Sequence, residues 1–173
     1  MSSGMRLRPA RLADAAAMAR WRNQPWVRAG YFYQARITPG RQRRWLAETL
    51  ARPDARVWII EAPKGRGVGM VGLYHVDAEA RAAEFGWLVI GERDVLGRGI
   101  ATSATRRVLR YGFRRLRLHR ITLLVRTGNP AARRLYAKFG FREEGRLRRA
   151  RWTGRGWADA LLMAVLEREV RLS

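Results

Sequence analysis

The run Leu96-Gly97-Arg98-Gly99-Ile100-Ala101 stands between a strand-like segment, Ala82–Ile90, and an amphipathic stretch that opens at about Gly99. Glycines let a backbone approach a ligand closely. Free N–H groups and the positive end of the dipole at a helix start favour an anion. The chemistry that fits this spacing is phosphate binding, with a purely structural turn as the alternative. Two nucleotide loops are excluded. A dinucleotide fingerprint needs a third glycine where Thr102 stands and an acidic residue about twenty positions later, and neither is present. A P-loop needs Gly-Lys-Ser/Thr after four intervening residues, which the chain lacks. What is left is a short pyrophosphate cradle without a metal-binding hydroxyl–lysine pair.

Composition removes other chemistries. The 173 residues contain no cysteine, so disulfides, thiolate metal sites and cysteine nucleophiles are out. His75 and His119 are the only histidines, which argues against a catalytic zinc. An apolar fraction of 47% excludes a disordered chain, and no apolar run approaches the roughly 18 residues of a membrane span. The start lacks the charged-then-apolar pattern of a secretory signal, so the expected compartment is the cytoplasm. Residues 1–4 are expected to be an appended tag remnant or disordered, with initiation at Met5. The net charge of +22 invites a ribosome or RNA partner. The competing reading is compositional: the only lysines are Lys64 and Lys138, and the arginines are scattered rather than gathered in a tail.

The elements that must position the loop follow from patterning. Met5–Arg8 reads as a strand, and a helix follows Pro9 and Asp14 to about Arg22. Thr38 caps a second helix, with Pro39 in its first turn, to about Ala51. Arg56–Glu61 and Val68–Val76 form an antiparallel hairpin across Pro63–Gly67. Ala82–Ile90 is a strand. A helix from about Gly99 to Arg117 turns Ile100, Ala104, Val108, Leu109, Phe113 and Leu116 to one face. Ile121–Val125 is a buried strand, and the right-handed crossover makes it the parallel neighbour of Ala82–Ile90. Asn129, Pro130 and Gly140 punctuate a helix over Pro130–Phe139. Phe141–Arg149 and Ala158–Leu166 close the chain around a turn with Gly154 and Gly156. The fold class is α/β (α+β), one domain over residues 1–173.

The loop and one further segment resemble the GNAT superfamily of N-acetyltransferases. The family's Gln/Arg-x-x-Gly-x-Gly/Ala signature falls on Leu96, Gly99 and Ala101, with Leu96 departing from the usual first residue and losing one polar contact there. Residues 129–141, Asn-Pro-Ala-Ala-Arg-Arg-Leu-Tyr-Ala-Lys-Phe-Gly-Phe, are similar to its Asn-x-x-Ala-x-x-x-Tyr-x-Lys-x-Gly-Phe segment almost letter for letter. The resemblance covers nearly the whole chain. It implies a mixed, largely antiparallel sheet with one splayed parallel pair, acetyl-CoA as cosubstrate and no metal.

The resemblance also implies roles. Backbone groups of Leu88, Val89 and Ile90 would bond the pantetheine arm and polarise the thioester carbonyl. Amides of Gly97, Arg98, Gly99, Ile100, Ala101 and Thr102 would hold the pyrophosphate. Asn129 and Ala132, in the second motif, join the coenzyme site; Asn129 also explains itself as a helix cap. The attacking amine must be neutral, so a base is needed. Alternation places Glu84, Gly86, Leu88 and Ile90 on one strand face, which makes Glu84 the candidate base; an ion-paired surface glutamate is the alternative. Tyr136 resembles the tyrosine that protonates the departing thiolate, or else packs its helix onto the sheet. Trp26 and Trp157, read as loop residues, are candidates to line an acceptor pocket.

The segment Trp21-Arg22-Asn23-Gln24-Pro25-Trp26-Val27-Arg28, followed by Ile37 and Trp45, resembles acetyltransferases acting on nucleotide-linked amino sugars. It is also similar to the branch with spermidine and ribosomal-protein N-terminal acetyltransferases. A polyamine needs local acidic residues, and Tyr31–Leu50 holds only Glu48. The expected acceptor is a nucleotide-linked amino sugar or another small-molecule amine. A ribosomal-protein N-terminus follows closely, and a non-catalytic relative that binds coenzyme A or RNA stays open. Strand-exchanged dimers in the family leave a homodimer open too.

Overall fold

The computed structural model describes residues 4–172, so the expectation for residues 1–4 falls, at positions 1–3, outside the described residues. In chain order the elements are β1 (Arg6–Pro9), α1 (Ala15–Arg22), α2 (Pro25–Gly30), α3 (Pro39–Leu50), β2 (Arg56–Ala62), β3 (Arg66–Asp77) and β4 (Ala82–Ile90). Then come α4 (Ile100–Arg110), β5 (Arg120–Arg126), α5 (Pro130–Lys138), β6 (Arg142–Trp152) and β7 (Trp157–Leu166). The strands form one sheet in the order β1-β2-β3-β4-β5-β7-β6. Among the described residues only β4 and β5 pair in parallel, as their helical crossover requires; the mixed, largely antiparallel sheet expected from sequence is what the chain adopts.

Apolar periodicity decides which helix covers which face. On one face Val108, Leu109 and Phe113 of the α4 segment and Tyr136 and Phe139 of the α5 segment pack on Leu73, Phe85, Ile121 and Val165. On the other, Met18 and Trp21 of α1 and Leu46 of α3 pack on Ile59, Met70 and Val89. Thr38 caps α3 as expected, its hydroxyl accepting Arg41 N–H at 3.2 Å. The long helix is shorter than its pattern suggested: it is α-helical to Arg110 and continues as a π turn over Tyr111–Arg115. No described helix is long and apolar enough to cross a membrane.

The start of the sheet is pinned by charge. Arg8 donates to both oxygens of Asp14 at 2.9 and 3.0 Å and to Glu61 at 2.9 Å, and Asp14 also accepts Arg11 N–H at 2.7 Å. Burial alone would raise the Asp14 carboxyl; the bonds from Arg8 and Arg11 outweigh it and hold it below the usual carboxylate range. A depressed folded-state pKa stabilises the fold above the unfolded value, and that contribution is lost as pH falls through the folded value. Asp14→Asn is therefore expected to destabilise by about 1–2 kcal/mol at neutral pH. The gap to wild type should close in thermal melts taken below the carboxylate range. A gap that persists unchanged in acid would remove the ion pair as its cause.

Candidate active site

Pairing between β4 and β5 is confined to Ala82↔Arg120, Ala83↔Ile121 and Glu84↔Thr122. Beyond that fork the strands separate, and the opening is a cleft of about 420 Å³. Phe85–Ile90 line one side of it and Leu124–Arg126 the other, with Ala101 of α4 and Ala132 and Tyr136 of α5 also lining it.

A bulge sets what β4 shows to the cleft. Gly86 pairs with Gly72 and Val89 with Met70, so Trp87 and Leu88 together face the single residue Val71. Trp87 takes a left-handed φ of 54°, stacks on Tyr74 with ring centroids 4.3 Å apart and meets the edge of Trp45 at 5.0 Å. Only a glycine fits opposite: a Cβ on Gly72 would lie 2.4 Å from the Trp87 ring. The bulge corrects the alternation read from sequence. Ala83, Phe85, Leu88 and Ile90 share the face covered by α4, whereas Trp87 and Val89 pack with α1 and α3. Glu84 therefore does not share a face with Leu88 and Ile90.

Gly91 N–H bonds back to Val68 of β3 at 2.8 Å. Alternation then turns the polar groups of Leu88 and Ile90 away from β3 and into the gap. Their carbonyls already have donors: Trp26 Nε1 reaches Ile90 O at 3.0 Å, and the Tyr31 hydroxyl approaches Leu88 O at 3.5 Å. The N–H groups of Leu88 and Ile90 are the ones left to meet a ligand.

Trp26 and Tyr31 come from a segment whose structure the sequence did not reveal. Trp26 lies in α2, not in a loop, and Trp157 is the first residue of β7. A six-residue helix is marginal alone, and its last carbonyls need donors. Arg126 supplies them to Ala29 O at 2.8 Å and Tyr31 O at 3.2 Å, and Asn129 Nδ2 to Gly30 O at 3.3 Å. Asn129 also caps α5 as expected, its Oδ1 accepting Ala132 N–H at 3.1 Å. One asparagine thus ties α2 to α5 at the cleft. Trp157, by contrast, is 55% exposed and lies outside the cleft lining.

Tyr136 is buried, with its ring edge-on to Phe85 at 5.7 Å and tilted against Phe141 at 5.8 Å. Burial pushes its phenol well above the ordinary tyrosine range, so it stays protonated at neutral pH. Tyr31 is pushed up to about 12 by burial, partly offset by the Arg22 guanidinium 4.4 Å from its ring centre.

Glu84 does not line the cleft; its cross-strand partner Tyr74 does. The Glu84 carboxylate is bonded to His75 Nδ1 at 2.8 Å, and Tyr74 is held protonated by burial and by the adjacent Glu84 charge. At the glycine loop, Gly97 and Gly99 have φ of 75° and 74°, and Gly99 is the N-cap of α4. An L-residue is strained in that conformation. Gly97, Arg98, Gly99 and Thr102 stand at the surface beside the cleft, Ile100 turns into the core, and Leu96 and Ala101 line the cleft itself. Backbone cradle and open gap together fit a phosphate carrying a long extended arm. Among the described residues no group of three or more His, Asp or Glu side chains is placed to hold a metal.

Residues 5–142 match the acetyltransferase (GNAT) domain family, and the chain belongs to that family of acetyl-CoA-dependent N-acetyltransferases. It is 33% identical over 101 residues to the Bacillus subtilis (strain 168) protein "Putative ribosomal N-acetyltransferase YdaF", covering 58% of this chain and 54% of that one. It is 33% identical over 112 residues to the spermidine N(1)-acetyltransferase of Vibrio cholerae serotype O1, covering 65% of this chain and 64% of that one. The alignments thus span between a half and two thirds of these relatives. A crystal structure of a Vibrio cholerae spermidine N-acetyltransferase with CoA and spermine superposes with a TM-score of 0.84 at 25% identity, covering 95% of this chain and 96% of that one. The relatives named here act on spermidine or carry a ribosomal designation, and none is an amino-sugar acetyltransferase.

Proposed function

We propose that this chain transfers the acetyl group of acetyl-CoA to a primary amine of a small, negatively charged acceptor, a nucleotide-linked amino sugar or a related metabolite. The observation that carries the reading is the charge of the cleft. Arg126 and Arg151 line it, and no aspartate or glutamate does. Glu48, the one acidic residue between Tyr31 and Leu50, is exposed on α3. A polyamine would bring like charge to this surface; an anionic amine would be drawn to it.

In this reading acetyl-CoA supplies an activated thioester. The amides of Gly97–Thr102 hold its pyrophosphate, and Asn129 and Ala132 flank the arm. The N–H groups of Leu88 and Ile90 bond the arm and the thioester carbonyl as charge develops on its oxygen, with Val89 locking that segment onto β3. Tyr136 donates a proton to the departing sulfur. Glu84 takes the proton of the amine through Tyr74 or a water, and His75 holds the carboxylate in place. Glu84→Gln is accordingly expected to flatten the acidic limb of the pH–rate profile; an unaltered limb would assign the base elsewhere.

The test of the acceptor class is kcat/KM for a nucleotide-linked amino sugar beside spermidine, at low and high salt. A preference for the anionic amine of at least about tenfold, narrowing as salt rises, is expected. A preference for spermidine would overturn the acceptor class while keeping the enzyme. The YdaF likeness supports a second reading, a ribosomal-protein N-terminus, and a peptide of that kind belongs in the same assay.

A further inference from the structure

Beside the cleft lies a second cavity of about 540 Å³, lined by Arg28, Arg126 and Arg155 and by no carboxylate. It shares Arg126 with the cleft. The rest of its lining comes from α2, the segment after it and the β6–β7 turn, and none from the glycine loop or α5. It is therefore built apart from the pyrophosphate cradle.

What sets these three arginines apart is that they line one cavity with no carboxylate among them. Arg8, Arg20, Arg52, Arg66, Arg81, Arg120, Arg133, Arg142 and Arg146 each pair with a carboxylate. Arg28, Arg126 and Arg155 pair with none among the described residues. The side chains of Arg28 and Arg126 and the backbone of Arg155 are nevertheless held. Arg28 Nε donates to Gln34 O at 2.7 Å. Arg126 is held through one terminal nitrogen by α2, and its Nε is buried without a partner. At the turn, Arg155 N–H bonds to Thr153 Oγ1 at 3.3 Å, and that hydroxyl donates to Gly156 O at 2.9 Å. Three like charges around one cavity repel one another unless an anion sits between them.

We infer that this cavity is an anion subsite in which Arg28, Arg126 and Arg155 dock a phosphate or carboxylate of the acceptor while its amine reaches the cleft. The inference rests on the anionic-acceptor reading above and names the residues that select for it. Guanidinium–phosphate bonds are charge-assisted and directional, so the subsite fixes how far from the amine the acceptor carries its charge.

The test uses inorganic phosphate titrated into CoA-saturated protein, which reads binding without turnover. Arg155 is exposed, so Arg155→Ala is expected to leave the fold intact. Wild type is expected to bind phosphate saturably, Arg155→Ala at least about tenfold more weakly, and Arg114→Ala, a surface arginine outside the cavity, as wild type does. Equal affinity in wild type and Arg155→Ala would overturn the subsite. Equal loss in Arg155→Ala and Arg114→Ala would reduce it to the attraction of the whole +22 surface. Phosphate that binds only when CoA is absent would give the cavity to the coenzyme. If phosphate binds as expected while no amine is acetylated, the subsite stands and the acceptor reading is what fails.

Discussion

Tyr136→Phe lowers kcat by roughly 10²–10⁴-fold while the KM for acetyl-CoA stays near wild type; this is the largest effect expected of a single side chain here. The ring packs edge-on to Phe85 and against Phe141, and phenylalanine keeps those contacts. Only the proton donor is lost. Because burial raises the phenol pKa, the donor stays charged with its proton across the neutral range. The loss should therefore be the same at pH 7 and pH 9, and an acyl donor with a better leaving thiol should recover part of it. Wild-type turnover in Tyr136→Phe would leave the residue a packing role alone.

Gly72→Val tests the bulge. Its Cβ would lie 2.4 Å from Trp87 and 2.9 Å from the Arg56 carbonyl oxygen, so Trp87 must leave its stack on Tyr74. Overpacking of this kind costs about 1–3 kcal/mol. Removing the extra residue from the ladder also rotates Leu88 and Ile90 by one position, which exchanges the groups facing the cleft. The expected result is a fall in Tm of several degrees together with at least a tenfold loss in kcat/KM for acetyl-CoA. Loss of stability with full catalytic efficiency in the folded fraction would show that the bulge does not aim these amides.

How much of this was legible beforehand depended on how local the cause was. The hairpins, the capped helices α3 and α5 and the parallel crossover were readable, because turn residues, caps and periodicity lie within a few positions of what they determine. The place of the glycine loop, between a strand end and a helix start, was readable for the same reason. The bulge was not: Trp87 gives no sign of a left-handed backbone, and the glycine that makes room for it is on the next strand. Nor was α2, whose carbonyls are satisfied by Arg126 and Asn129, 97 and 99 positions away. Alternation puts Glu84 on the face of Leu88 and Ile90, and the one-residue slip at Trp87 separates it from them. Arg126 and Arg151 were missed among many arginines; only folding shows which of them reach the cleft.

The most direct measurement of the account is release of free thiol from acetyl-CoA in the presence of a nucleotide-linked amino sugar, spermidine, an aminoglycoside and peptides mimicking ribosomal-protein N-termini. Release is expected to depend on added amine and to be fastest with the anionic amino sugar. Tight binding of acetyl-CoA with no amine-dependent release from any member of the panel would contradict it and leave a coenzyme-binding relative without transfer activity.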